Sequence, residues 1–342
     1  PDQALLGYFW GDSLVVGWWI TRDSIQAVPL GLADSLAPIA EFLRSAIDRP
    51  MDDSPWQAAG RRAYRAFVAP LAPTGAAEVL VIGDGPLNRI PVETFIADSA
   101  AGPWGATRRF VYGPSASVIA ALKHAPAAGW DRALLAVGNP ALPEAPAAAE
   151  ALEEEFRGLA LRALPNAESE ARAIHQLFRD GGAELLVGRR ATVARWLDHR
   201  PSRYRYLHFA LHALASDRNP EAGALVFAGR PLDFASIRRL RLQAELATLS
   251  ACETGVGRWV RGEGVLGLQH AFLSAGARSV LVTLWQVADR STADFMRQLY
   301  TEIKGGRSPA DAVARVRSTW IRAPDERSHP WRWAPFVLVG PM

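Results

Sequence analysis

The 342-residue chain contains a single cysteine, Cys252, and its position is the most informative feature of the sequence. It closely follows an apolar, strand-like run, in Leu249-Ser250-Ala251-Cys252-Glu253-Thr254-Gly255. That context predicts a place at the carboxyl end of a parallel strand, where open α/β sheets put their sites. His212 stands in the same relation to a second apolar run, Tyr206-Leu207-His208-Phe209-Ala210, so both residues are expected at one edge of one sheet. A thiol is a poor nucleophile while protonated; an adjacent imidazole removes the proton or holds the thiolate as an ion pair. A lone cysteine at a strand end is commonly just a small buried hydrophobe, and a loop histidine can be held by backbone alone. Glu253-Thr254-Gly255 argue against the first alternative, because polar residues and a glycine open a turn toward solvent. His208 alternates with Leu207 and Phe209 within its strand and is expected to pack against one face of the sheet, orienting the reactive residues.

The elements that must position these side chains can be read from hydrophobic periodicity. Leu5-Phe9, Leu14-Thr21 and Ser24-Leu30 are aromatic and β-branched with turn residues between them, an antiparallel meander. Helical spacing follows over Ala33-Ile47 and Pro55-Val68, then a buried strand over Glu78-Ile82. The Ala-, Pro- and Glu-rich stretch Ala141-Ala151 marks a loop or boundary. Around and beyond it, strands are predicted at Ala133-Val137, Glu184-Val187, Tyr204-Phe209, Ala224-Phe227, Leu246-Leu249, Ser279-Thr283 and Phe336-Val339. Helices are predicted at Ala167-Phe178, Thr192-Asp198, Val265-Ser274, Ser291-Ile303 and Pro309-Trp320. Strands alternating with helices of this length imply a largely parallel sheet covered on both faces. We expect an N-terminal α/β region over residues 1–130, packed on a second region over residues 131–342 and completing a larger sheet.

Leu207-His208-Phe209-Ala210-Leu211-His212 resembles the histidine motif of the CHAT family, caspase relatives commonly fused to tetratricopeptide repeats. The cysteine block, Gly262-Glu263-Gly264, Ala271-Phe272-Leu273-Ser274-Ala275-Gly276-Ala277 and Leu284-Trp285-Gln286-Val287-Ala288-Asp289 are similar to that family in order and spacing. Weaker similarities at Arg89-Ile90-Pro91, Pro114-Ser115-Ala116-Ser117, Leu164-Pro165-Asn166-Ala167-Glu168 and Trp333-Ala334-Pro335-Phe336-Val337-Leu338-Val339-Gly340 extend it over nearly the whole chain. A histidine about 40 residues before the cysteine also follows caspase-type order rather than papain-type order.

The resemblance implies a caspase-like three-layer α/β/α sandwich with a mostly parallel sheet, preceded by a smaller α/β pseudo-caspase-like region. It implies a cysteine endopeptidase with Cys252 as nucleophile and His212 as general base, the backbone N–H groups of Cys252 and Ala213 holding the oxyanion. The family usually has glycine after the histidine, so Ala213 is a departure; a positive φ there would be strained. Asp289 resembles the position at which separases receive a basic P1 side chain, with helix N-capping as its competing role. Asp217, Glu221 and Glu253 are further candidates for substrate contact. A catalytically inactive caspase-like scaffold is the alternative.

Composition bounds the remaining classes. With 49% apolar residues the chain can build a substantial core. Its longest apolar stretch near the start, Leu14 to Ile20, is too short to span a bilayer. One cysteine excludes an internal disulfide framework, and no basic-then-apolar leader precedes the first strand. We therefore expect a cytoplasmic protein of bacterial type, and, from a chain opening at Pro1 directly on a strand, a domain taken from a longer protein. A net charge of +3 from 38 basic and 35 acidic residues, without a basic tract, argues against nucleic acid as a direct ligand. Gly262-Glu263-Gly264-Val265-Leu266-Gly267 matches a dinucleotide fingerprint in letters only, since it does not follow its strand directly. A Cys-His pair needs no cofactor, and neither zincin histidine spacing nor paired cysteines for a metal are present. The expected partners are a protein substrate and a regulatory partner or fused sensor or repeat module, in a defence or cell-death setting by family analogy.

Overall fold

A computed structural model of the chain describes residues 2–48, 55–73, 75–98, 102–124, 129–142, 161, 164–215, 223–250, 259–260, 264–265, 267–285 and 289–342. Its strands are β1 (Gln3–Trp10), β2 (Leu14–Ile20), β3 (Ile25–Leu32), β4 (Glu78–Ile82), β5 (Arg109–Tyr112), β6 (Arg132–Pro140), β7 (Ala183–Gly188), β8 (Tyr204–Ala210), β9 (Ala213–Ala215), β10 (Gly223–Val226), β11 (Pro231–Asp233), β12 (Leu246–Leu249), β13 (Trp259–Val260), β14 (Gly264–Val265), β15 (Val280–Thr283) and β16 (Phe336–Val339). The chain divides into two compact units: Pro1–Ala121 with Trp259–Gly264 and Ala310–Met342, and Leu122–Arg258 with Val265–Pro309. The first division between them comes between Ala121 and Leu122. The chain from Ala310 onward, however, groups with the N-terminal unit rather than with the region that precedes it in sequence.

In the first unit the meander forms as expected, β1 pairing antiparallel with β2 and β2 with β3. On the other side of β1 the pairing turns parallel, through β4 and β5 to β16. Helix Ala33–Ile47 buries Leu36, Ala40, Leu43 and Ile47, a four-three-four spacing that puts them on one face. Beneath β5 sits a buried ionic cluster. Arg317 and Glu93, neither exposed to solvent, pair at 3.0 Å. Arg317 also donates to Phe336 O at 2.9 Å, and the Tyr112 hydroxyl donates to the second Glu93 oxygen. Burial, with the Glu93 charge second, pushes the Tyr112 hydroxyl well above the usual tyrosine range. Gly105 makes room for this pair: a Cβ there would come within 2.9 Å of Glu93 Cβ and 3.1 Å of Arg317 Cδ.

The second unit is built on five parallel strands in the order β15-β12-β8-β6-β7. Strand alternation on β8 shows why both faces are covered. Tyr206 and His208 face Tyr300 of helix Asp289–Lys304, and Tyr206 also meets Phe178 of helix Pro165–Phe178. Phe209 faces the opposite way, toward Trp196 of helix Val193–Asp198 and Phe272 of helix Leu268–Ser274. This is the α/β/α layering expected from the sequence. Helix Pro165–Phe178 lies so close to β6 that a Cβ on Gly138 would sit 2.6 Å from Ala171 Cβ, an approach that requires glycine.

Two predicted elements differ. The run Ala224–Phe227 is not in the parallel sheet; β10 is the middle of a separate sheet, antiparallel to β9 and β11. A short, fully apolar strand carries the same pattern in either setting. The helix expected from Val265 begins at Leu268, because Val265 is in β14 and Gly267 keeps an extended backbone at φ −175°. Strand β5 and helix Ala116–Lys123 are also present, short elements without a readable period.

Candidate active site

The carboxyl ends of β8 and β12 form the edge on which the sequence places its chemistry. Their register is regular: Leu246 lies opposite Tyr206, Ala247 opposite Leu207, Thr248 opposite His208 and Leu249 opposite Phe209. Ser250 continues it, its N–H donating to Phe209 O at 2.9 Å. β8 ends at Ala210, and after the buried Leu211 comes His212, half-buried. There the chain turns from the parallel sheet into β9. Cys252 and Glu253, and on the other loop Asp217 and Glu221, lie outside the described residues.

The backbone at Ala213 answers the concern raised by the missing glycine. Ala213 is the first residue of β9, opposite Leu225, and is not among the positive-φ residues. No left-handed conformation is demanded of it, so alanine is unstrained. Val226 N–H donates to His212 O at 2.9 Å, which makes residues 212 and 226 a hydrogen-bonded antiparallel pair. Bonded and non-bonded pairs alternate along such a ladder, so the Ala213 N–H points away from β10. β9 is the edge strand of this small sheet, and the amide is therefore turned outward from it.

Behind the edge lies a polar cluster that sequence reading found only in part. His208 packs within the core, as its alternation suggested, and its Nε2 is 2.9 Å from Glu170 Oε1; both side chains are essentially inaccessible. The contact is close but poorly aligned, and neither atom has a hydrogen-bond partner among the described residues. Tyr300 stands edge-on to the His208 ring, centroids 5.3 Å apart, and its hydroxyl donates to Thr248 Oγ1 at 2.8 Å. Burial raises the Tyr300 hydroxyl far above its ordinary value, while the Thr248 bond acts in the opposite direction. The cluster ties both helices of this face to β8 and β12 just below their carboxyl ends. Glu170 carried no signal in the sequence beyond helix periodicity.

Asn139 is a second residue that sequence reading missed. At the carboxyl end of β6 its φ is +42°, and its Oδ1 accepts from Leu164 N at 3.1 Å. It is one of three non-glycine residues with positive φ among those described, and it follows Gly138, which pairs with Ala210 of β8. Asp289 is the first residue of helix Asp289–Lys304, two residues earlier than expected; its side chain lies outside the described residues. Among the described residues no group of three His, Cys, Asp or Glu is placed to hold a metal ion. No helix among them is long and apolar enough to cross a membrane.

Parallel strands sandwiched by helices, with a histidine turning off the carboxyl end of a central strand, define a caspase-like α/β fold. The family model of the CHAT domain matches residues 57–341, and the chain belongs to that family. It is 28% identical over 242 residues to tetratricopeptide repeat protein 28 of Mus musculus, covering 60% of this chain and 9% of that protein. The Homo sapiens protein of the same name is 27% identical over 243 residues, with the same coverage. The chain therefore spans a small part of the relatives it matches. Both are mammalian, a different setting from the bacterial-type cytosol that the sequence reading expects. Among solved structures, the Saccharomyces cerevisiae separase–securin complex is similar with a TM-score of 0.52 at 15% identity, over 78% of this chain and 16% of that one. At that identity the likeness speaks to fold.

Proposed function

We propose that the chain is a cysteine endopeptidase in which Cys252 attacks the scissile carbonyl and His212 is the general base. The observation that carries this reading is the β8/β12 register. Paired residues of the two strands differ by 40 from Leu246 opposite Tyr206 to Leu249 opposite Phe209. His212 and Cys252 differ by the same 40 in sequence, so each follows the last paired residue of its strand, Phe209 or Leu249, by three positions. In the proposed reaction the imidazole takes the thiol proton, the thiolate carbon–sulfur bond forms as the peptide bond breaks, and the proton passes to the leaving amine. Water then hydrolyses the thioester. The outward Ala213 N–H, with that of Cys252, is the proposed oxyanion donor pair.

Substrate selection belongs to the same proposal. Asp289, at the start of its helix, is assigned to a basic P1 side chain, with Asp217, Glu221 and Glu253 as further acidic contacts. Control by a partner or fused repeat module is in keeping with the tetratricopeptide repeat relatives and with the separase neighbour, which is bound to securin. The protein acts in this reading in a soluble compartment, with no cofactor in the reaction.

The test is a mass-spectrometric profile of cuts in a denatured-protein library, comparing the chain with Cys252→Ala and His212→Ala. Cuts that vanish in both variants, with Lys or Arg at P1 and relaxed by Asp289→Ala, are the expected result. A Cys252 that fails to react with iodoacetamide faster than a free thiol, in a chain without cuts even when joined to its repeat module, would establish the inactive scaffold instead.

A further inference from the structure

The first unit contains a cavity of about 1040 Å3 between helix Trp56–Phe67, the segment around Trp104 and the chain that follows helix Pro309–Ile321. Its walls carry Arg61, Arg108, Arg322 and His329 together with the aromatic rings of Trp56 and Tyr64, and among the described residues no Asp or Glu lines it. None of the residues proposed above for peptide hydrolysis contributes to it.

Arg108 and Arg322 are held in place by neutral oxygens. Arg108 Nε donates to Ala76 O at 3.1 Å, and its guanidinium lies 5.0 Å from the centre of the Trp104 ring. Arg322 donates to Ala106 O at 2.7 Å and to the Ser318 hydroxyl. Arg61 donates to Ala97 O at 3.1 Å. Asp98, next in the chain, is engaged by Arg65 at 2.8 and 2.9 Å. For Arg108 and Arg322 such bonds fix the guanidinium planes without cancelling their charge, whereas Arg61 also feels the Asp98 carboxylate; burial makes the Arg108 charge costly, lowering its pKa. His329 adds a donor. Its Nδ1 accepts from Trp331 N at 3.2 Å, so the neutral ring carries its proton on Nε2, which is buried and has no hydrogen-bond partner among the described residues.

We infer that this cavity binds a nucleoside phosphate. Pre-oriented guanidiniums are the side chains best suited to phosphate oxygens, and Trp56 and Tyr64 offer π-faces for a planar base. The volume is near the upper end of small-molecule sites, about 300–1,000 Å3, far more than inorganic phosphate needs. An aromatic lining whose charged side chains, among the described residues, are all arginines, inside a protein whose charges nearly balance overall, is a local feature, not a consequence of net charge.

Calorimetric titration of the whole chain with ATP, adenosine, pyrophosphate and hexaglutamate tests this. ATP is expected to bind at low salt with a Kd below about 100 μM and to weaken about 10- to 100-fold in Arg108→Gln/Arg322→Gln. Trp56→Ala should weaken ATP while leaving pyrophosphate unchanged, and Cys252→Ala should bind like the wild type. Should the double variant melt early, His329→Gln, expected to weaken ATP several-fold, replaces it. ATP that does not bind, or that binds the arginine variant equally well, overturns the inference, as does pyrophosphate or hexaglutamate binding as tightly as ATP.

Discussion

Replacing Arg317 with methionine tests how the first unit holds together. The side chain has no measurable exposure, and it is paired at 3.0 Å with the equally buried Glu93. Methionine has similar length, so the packing loss is small and the main consequence is a carboxylate left without its cation. Breaking a buried pair in this way costs about 3–5 kcal/mol, and the remaining Tyr112 hydroxyl bond to Glu93 offsets only part of it. The pair is itself imperfect: Arg317 Nε and Nη1 have no hydrogen-bond partner among the described residues. Removing both charges should therefore cost little, and Glu93→Leu/Arg317→Met should recover to within about 1–2 kcal/mol of the wild type. Urea unfolding measures the free energies, and thermal melting should fall by about 6–20 °C in the single variant. Because the chain has two compact units, hydrogen exchange should localise the loss to peptides covering Val92–Tyr112 and Ala310–Val339. A single variant that loses less than about 1 kcal/mol, or a double variant as unstable as the sum of its parts, would refute the reasoning.

Three further outcomes follow from the geometry. In the proposed peptidase, Ala213→Gly should leave peptide hydrolysis within about threefold, since Ala213 is unstrained, whereas Ala213→Pro removes the outward N–H and should lower kcat by about 10²–10³; equal effects of the two would dismiss Ala213 as an oxyanion donor. His208→Leu strands Glu170 in the core and should cost about 3–5 kcal/mol by urea unfolding, with Glu170→Leu/His208→Leu recovering most of it; no recovery would mean that the two do not act as a pair. The His329 imidazole is held below its ordinary pKa by burial and then by Arg332, so the unfolded chain takes up its proton first. This contribution to stability should decline as pH falls from about 6.5, and the His329 resonance should titrate below that of a free histidine; a midpoint at or above the ordinary value would remove the effect.

Much of this architecture was legible in the chain because short-range physics specifies it. Strands Glu78–Ile82, Leu246–Leu249 and Phe336–Val339 have the bounds that their apolar runs predicted, and most helices in the second unit agree to within two or three residues. The proposed pairing of His212 with Cys252 rests on sequence position, each a step beyond an apolar strand. What periodicity cannot carry is the choice of partner. The apolar letters of β10 suit a parallel core strand as well as an antiparallel one, and only its pairing with β9 and β11 decided between them. The return of Ala310–Met342 to the first unit depends on β16 finding β5, a pairing between strands far apart in sequence. Glu170 with His208, Glu93 with Arg317, and the cluster of Arg61, Arg108 and Arg322 have the same origin. By itself the sequence determined which segments are strands and helices and which side chains are of a type able to do nucleophilic chemistry, because those follow from side-chain type and period. Tertiary structure alone decided which buried charges meet, because folding brings together groups whose burial is tolerable only in company.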